Sequence, residues 1–383
     1  MAKEGFKVFD SDMHIMEPPD LWQRFTDDEF RDQAPIGVTS ENVRDLGTVH
    51  PSGTQWGSLA LGPRPSTSRM RGHNYDKNQL LYADHASRGW GPDCQIEAMN
   101  TEGIDAATLF PTRGLHTLAE PNMNPRLARA LARAYNDWLA DFCSYAPDRL
   151  IGAAMISPFD MNDAVEEVER TVNHLGMRAV FIRSNLMNDI PWHDHYYNPL
   201  WDTLEKYDIP IGFHEASSSG ARQSGQQFAS NLMLRRVYAQ PFEQMMAFGA
   251  FTGGGVLERH PGLRAAFLEA NCSWLPWLLW RLDEGYERES DAFSPELKMA
   301  PSEYFHRQVW VSVEPDETPA LDAISRYGSD NLVFSTDYPH GDSKYPVAVS
   351  SFLELQLEDD HKRKILWDNC AKFYNVQNNA ATG

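Results

Sequence analysis

Cysteine is scarce in this chain. The four residues Cys94, Cys143, Cys272 and Cys370 lie far apart in 383 positions, without the close pairing of a zinc knuckle or a redox motif. Free, mostly buried thiols are expected. Positive charge is also short: 34 Lys and Arg stand against 54 Asp and Glu, a formal net charge of −20, and no basic cluster offsets it. Such a surface repels phosphate backbones and anionic membranes, which argues against nucleic acid and membrane partners. Long apolar runs are missing too. No stretch approaches the roughly 18 apolar residues of a membrane span, and the opening MAKEGFKVFD has no apolar leader core, so a cytoplasmic protein is expected.

What is present is the composition of a folded enzyme-sized chain. Hydrophobic residues make up 42%, aromatics 11% and charged residues 23%, ample for a large buried interior. Short apolar runs recur, separated by segments of helical periodicity. Eight strands are expected over residues 7–15, 106–111, 150–157, 179–184, 210–215, 265–270, 309–314 and 332–340. Helices are expected from Arg126, Asp163, Asn198, Ser273 and Glu317. Trp274, Trp277 and Trp280, at helical spacing, are read as core. This alternation specifies a (β/α)8 TIM barrel in one domain, residues 1–383, rather than a doubly wound sheet. The glycines of GAFTGGGVLERHPG lie between a helix and a strand, where a dinucleotide fingerprint does not belong. Residues 23–91 break the alternation directly after the first strand and form an expected insertion, a lid or an oligomer contact.

Polar residues collect where the apolar strands run out. The first strand, in VFDSDMHIMEPPDLW, delivers Asp10, Asp12 and His14, followed by Glu17. Strand four ends in Arg183, strand five in His214 and Glu215, strand six carries Glu269, and strand eight ends in Asp337 and His340. In a barrel these positions converge on one mouth. So many charges cannot be buried together unless a cation neutralises them. Alternate residues of a strand share a face, so Asp12 and His14 are placed to grip one ion. His214 and Asp337 complete a mixed nitrogen and oxygen shell.

The ordered set DSDMHIMEPPDLW, PDRLIGAAMISPFD, GFHE, FLEANCSWLPWLLWRLDE, STDYPHGD and KILWDNCAKFYNV resembles the amidohydrolase superfamily. It is most similar to the amidohydrolase-related branch that holds aminocarboxymuconate semialdehyde and resorcylate decarboxylases. The resemblance implies His14 and His214 as metal ligands and Asp337 as ligand and proton shuttle. It also puts Asp12 where relatives keep a histidine, Arg183 at the strand-four position and Glu269 in place of the strand-six histidine. The implied metal set is Asp12, His14, His214 and Asp337, extended by Glu17 and Glu269. The implied catalytic set is Asp337, Glu269, Arg183 and His340.

Extra carboxylates favour a divalent Mn or Fe ion over zinc, and leave room for a dinuclear site. Three functions stay open on the sequence. The first is hydrolysis or decarboxylation of a small carboxylic acid, with Arg183 meeting its carboxylate. The second is a dinuclear Fe/Mn or di-iron oxygenase. The third is a non-catalytic subunit that supports a catalytic relative. A homo- or hetero-oligomer with barrel relatives is expected.

Overall fold

The computed structural model describes residues 3–39, 47–51, 53, 55–56, 75–215, 223–228, 231–341 and 343–376. Eight strands pair in sequence order in one sheet, every barrel pair parallel. They are Phe9–His14, Ala106–Phe110, Leu150–Met155, Ala179–Arg183, Ile211–His214, Ala265–Leu268, Val309–Val313 and Leu332–Phe334. Each falls inside an expected run, because these strands are buried on both faces and read as mostly apolar runs, with charged residues confined to the first strand and to strand ends. The last strand meets the first through Ser11 Oγ donating to the Phe334 carbonyl at 2.7 Å. Beyond it, the amide of His14 donates to the Tyr338 carbonyl, also at 2.7 Å. These bonds make the sheet a barrel.

The expected helices form at Pro125–Cys143, Met161–Leu175, Asn198–Lys206, Leu275–Phe293 and Ala320–Tyr327. Asn124 and Asp160 cap the first two with side-chain oxygens on backbone amides, and Gly176 ends the second in the left-handed conformation. One expectation fails on Leu275–Phe293. That helix turns Leu275, Leu278 and Leu279 inward and leaves Trp277 and Trp280 each 57% exposed, so those tryptophans are not core. These five leucine and tryptophan positions cannot share one stripe of a single helix, and the leucines take the buried one. A further long helix, Leu232–Thr252, packs between strands five and six.

The insertion after strand one holds a small antiparallel sheet of Ile36–Gly37, Thr48–Val49 and Gln55–Trp56, and helices at Tyr75–Leu81 and Ala83–Ser87. The rest of it, residues 40–46, 52, 54 and 57–74, lies outside the described residues. All four cysteines are free and buried. Among the described residues no helix is long and apolar enough to cross a membrane.

Candidate metal centre

Strand one does not run in unbroken alternation: its register with strand two shifts between Asp10, opposite Ala107, and Met13, opposite Leu109. Asp10, Asp12 and His14 are all completely buried. The deepest is structural. Asp10 accepts hydrogen bonds from the Thr336 hydroxyl at 2.5 Å, the Thr336 amide at 3.2 Å and the Asp12 amide at 3.1 Å. Burial outweighs these bonds and raises its pKa to about 6.

One level up, Asp12 has no such partners. Both its carboxylate oxygens are buried without a hydrogen bond among the described residues. Oδ1 lies 3.5 Å from His14 Nε2 and Oδ2 lies 3.6 Å from His214 Nε2. Burial first, then the Glu269 and Asp10 carboxylates, lift its pKa to about 7 against the pull of His214.

The two histidines are oriented from behind. His14 Nδ1 sits 2.7 Å from the Pro111 carbonyl and His214 Nδ1 sits 2.7 Å from the Glu215 carbonyl. A carbonyl only accepts, so each Nδ1 carries its proton and each neutral ring turns a lone pair on Nε2 into the mouth. Those two Nε2 atoms are 3.1 Å apart. Two lone pairs at that distance repel unless a cation or a proton stands between them. Without a metal the proton falls to His214: burial opposes it, but Asp12 and Glu269 together raise its pKa to about 9. Burial, with His340 and His214 close by, holds the pKa of His14 well below the ordinary value.

Strands six and eight complete the mouth. Glu269 Oε2 is 2.9 Å from His214 Nε2, and its Oε1 accepts from Gln240 at 2.6 Å. Asp337 Oδ1 lies 3.3 Å from His14 Nε2 and 2.6 Å from His340 Nδ1. The other ring nitrogen of His340 is 3.0 Å from the Thr112 hydroxyl, and its ring stacks on His14 with centroids 3.9 Å apart. Glu269 and Asp337 both hold left-handed backbone, φ 51° and 54°. Such strain in non-glycine residues is kept where surrounding structure enforces it, commonly at functional sites.

Two of the four groupings of potential ligand atoms among the described residues lie at this mouth: Asp12, His14 and His214, and His14, Glu269, Asp337 and His340. A buried, unpartnered carboxylate beside two facing imidazole lone pairs fits a divalent cation.

Glu17 and Arg183 are placed differently. The Glu17 carboxylate is spent on the turn after strand two, accepting from the amides of Thr112 at 3.1 Å, Arg113 at 2.8 Å and Gly114 at 2.9 Å. It stands in neither grouping. Arg183 pairs in register with His214, but its guanidinium donates to the Leu115 carbonyl and, at 2.8 Å, to Asn185 Oδ1. Burial lowers its pKa to about 10, with Glu215 and Glu243 opposing. Glu215 is fully buried beside it and its pKa rises to about 8. Thr112 and His116, which the sequence does not single out, come to the same mouth from the turn after strand two; only strand-end position signals them.

Barrel and ligand cluster together define a metal-dependent enzyme of the (β/α)8 class. The chain belongs to the amidohydrolase family, whose model, described as amidohydrolase, matches residues 9–376. It is 24% identical over 296 residues to 2-amino-3-carboxymuconate-6-semialdehyde decarboxylase of Dictyostelium discoideum, covering 76% of this chain and 79% of that protein. In structure it is similar to an amidohydrolase from Mycobacterium avium subsp. paratuberculosis, with TM-score 0.74 and 22% identity over 96% of this chain and 99% of that one. It is also similar to a 5-carboxyvanillate decarboxylase from Novosphingobium aromaticivorans with bound manganese, with TM-score 0.70 and 20% identity over 98% of each chain.

Proposed function

We propose that this protein is a divalent-metal-dependent, non-redox decarboxylase of a small aromatic or unsaturated carboxylic acid. One observation carries the metal: two histidine Nε2 atoms 3.1 Å apart, flanked by the unpartnered Asp12 carboxylate. The reaction is drawn from the relatives, which are named for decarboxylation of carboxylated substrates.

Asp12, His14, His214 and Asp337 would hold the ion, with Glu269 at its edge. The oxygen content of this set favours manganese or iron over zinc. When bound, the ion supplies Lewis-acid charge to a substrate oxygen.

The protein's own residues then do the following. Arg183 offers positive charge to the substrate carboxylate from the neighbouring strand end. The C–C bond to that carboxylate breaks, carbon dioxide leaves, and the electron pair stays on the substrate carbon. Asp337, 2.6 Å from His340 Nδ1, delivers a proton to that carbon, His340 replaces it, and His340 takes one proton from solvent per turnover. Glu269, pinned by Gln240, keeps His214 turned to the cluster. The helix Ala83–Ser87 of the insertion serves as part of a lid, supported by the 2.8 Å contact of His85 Nδ1 with the Tyr338 hydroxyl beside Asp337.

The test is metal analysis of protein purified without added metal, followed by carbon dioxide release from hydroxybenzoic acids in the presence of manganese. One equivalent of metal, with release abolished by Asp337→Ala, is expected. Two equivalents of iron or manganese with oxygen uptake would overturn it in favour of a dinuclear oxygenase.

A further inference from the structure

The helix Asn198–Lys206 carries Asp202 and Glu205 three positions apart, so both lie on one of its faces. They meet His260, which follows the short helix Val256–Arg259. Both helices lead into the starts of strands five and six, which puts the trio at the end of the barrel opposite the mouth.

His260 is only 3% exposed, and its neighbours fix its tautomer. Asn198 gives its amide nitrogen to His195 Nδ1 at 2.9 Å, which leaves its oxygen, an acceptor only, 3.3 Å from His260 Nε2. Nε2 therefore carries the proton and Nδ1 a lone pair. Burial, against the pull of Asp202 and Glu205, lowers the pKa of the ring and keeps it neutral.

That Nδ1 is buried and makes no hydrogen bond among the described residues. Asp202 Oδ1 stands 3.1 Å from it and Glu205 Oε2 3.7 Å. A lone pair facing two carboxylates is repelled by both, and moving the proton to Nδ1 would only turn the Nε2 lone pair against the Asn198 oxygen. A cation relieves all of it. Two ligand atoms, each about 2.1 Å from a tetrahedral zinc ion, lie roughly 3.4 Å apart, and the two distances here bracket that value. Glu205 is already oriented, because its Oε1 accepts from the Gly262 amide at 2.6 Å and leaves Oε2 to the trio.

We propose that Asp202, Glu205 and His260 form a second metal site, separate from the mouth, for a divalent transition ion and above all zinc. An imidazole ligand disfavours calcium and magnesium, which take oxygen shells, and zinc stands above manganese in affinity for such a set. The ion would tie the helix Asn198–Lys206 to the approach to strand six. With the Asp202 side chain 70% exposed, water completes the shell and the ion exchanges with solvent. The site therefore empties during purification without added metal, and the single equivalent expected at the mouth stands. Nothing in this assignment depends on the decarboxylase reading.

Equilibrium dialysis of manganese-loaded protein against micromolar zinc tests it, with bound zinc and released manganese both counted. Wild type holds one zinc more than His260→Ala, and manganese release, which reports exchange at the mouth, is the same for both. Asp202→Asn changes an exposed side chain and keeps the fold, so it serves even where His260→Ala lacks a cooperative melt. It weakens the extra zinc about tenfold or more, since loss of even an outer partner costs that much. Equal zinc in wild type and His260→Ala, or an Asp202→Asn protein with unchanged zinc affinity, overturns the site. Protein that never takes up manganese yet shows the His260-dependent zinc supports it and overturns the metal centre at the mouth alone.

Discussion

At the scale of single residues, the cluster is a proton trap that a metal must open. Asp12 with a pKa near 7 and His214 with one near 9 both hold protons more tightly in the folded chain than in the unfolded one. Each stabilises the metal-free fold fully below its unfolded pKa and loses that contribution as pH rises through its folded pKa. A metal needs the deprotonated forms. Manganese affinity should therefore climb from pH 6 to pH 9 with release of protons, and titrations in buffers of different ionisation enthalpy measure both; an affinity flat over that range contradicts the ligand set. Asp12→Asn keeps the volume and removes the charge, and should weaken manganese binding by about 100-fold or more, read by competition with a chelator.

Elements decide which acidic residues reach the ion. The end of strand one brings Asp12 and His14 to the mouth, and the ends of strands five, six and eight bring His214, Glu269 and Asp337 to meet them. Glu17 follows the same strand by three residues and is caught by the next turn. Glu17→Ala would strand three amides inside the protein and should cost about 2–4 kcal/mol in denaturant unfolding. Metal stoichiometry should stay unchanged, which sets it apart from any ligand variant. Strands and most crossover helices are legible because their apolar spacing is regular. Leu232–Thr252 is not: it carries Pro241, and its buried Ala239, Ala247, Phe248 and Phe251 coexist with exposed Met233, Val237, Phe242 and Met246, so no single stripe marks it.

Over the whole molecule, the seam between strands eight and one is where stability and chemistry coincide. Ser11, Asp10 and the His14 amide bond to Phe334, Thr336 and Tyr338, the segment that carries Asp337 and leads to His340. Asp10→Ala removes an acceptor from Thr336 and from the Asp12 amide together, and is expected to lose about 3–5 kcal/mol of stability. Metal binding should weaken with it because both ligand segments share the seam. Chelation of wild type should lower Tm by linkage, and restoring manganese at 100 times its Kd should recover about 2.7 kcal/mol, checked by calorimetry with and without metal.

Apolar periodicity, a property of the linear chain, determined the barrel: each strand had to be buried on both faces and each helix on one. It also marked Asp12, His14, His214, Glu269, Asp337 and His340, since charged residues at strand ends stand out against that pattern. Tertiary structure alone decided what each charge does. Glu17 and Asp12 look alike in DSDMHIMEPP, yet among the described residues one carboxylate meets three backbone amides and the other meets none. Hydrogen-bond partners come from residues about 95 to 326 positions away, and a local pattern carries no record of them. Thr112 meets His340 at the mouth for the same reason, from 228 positions away.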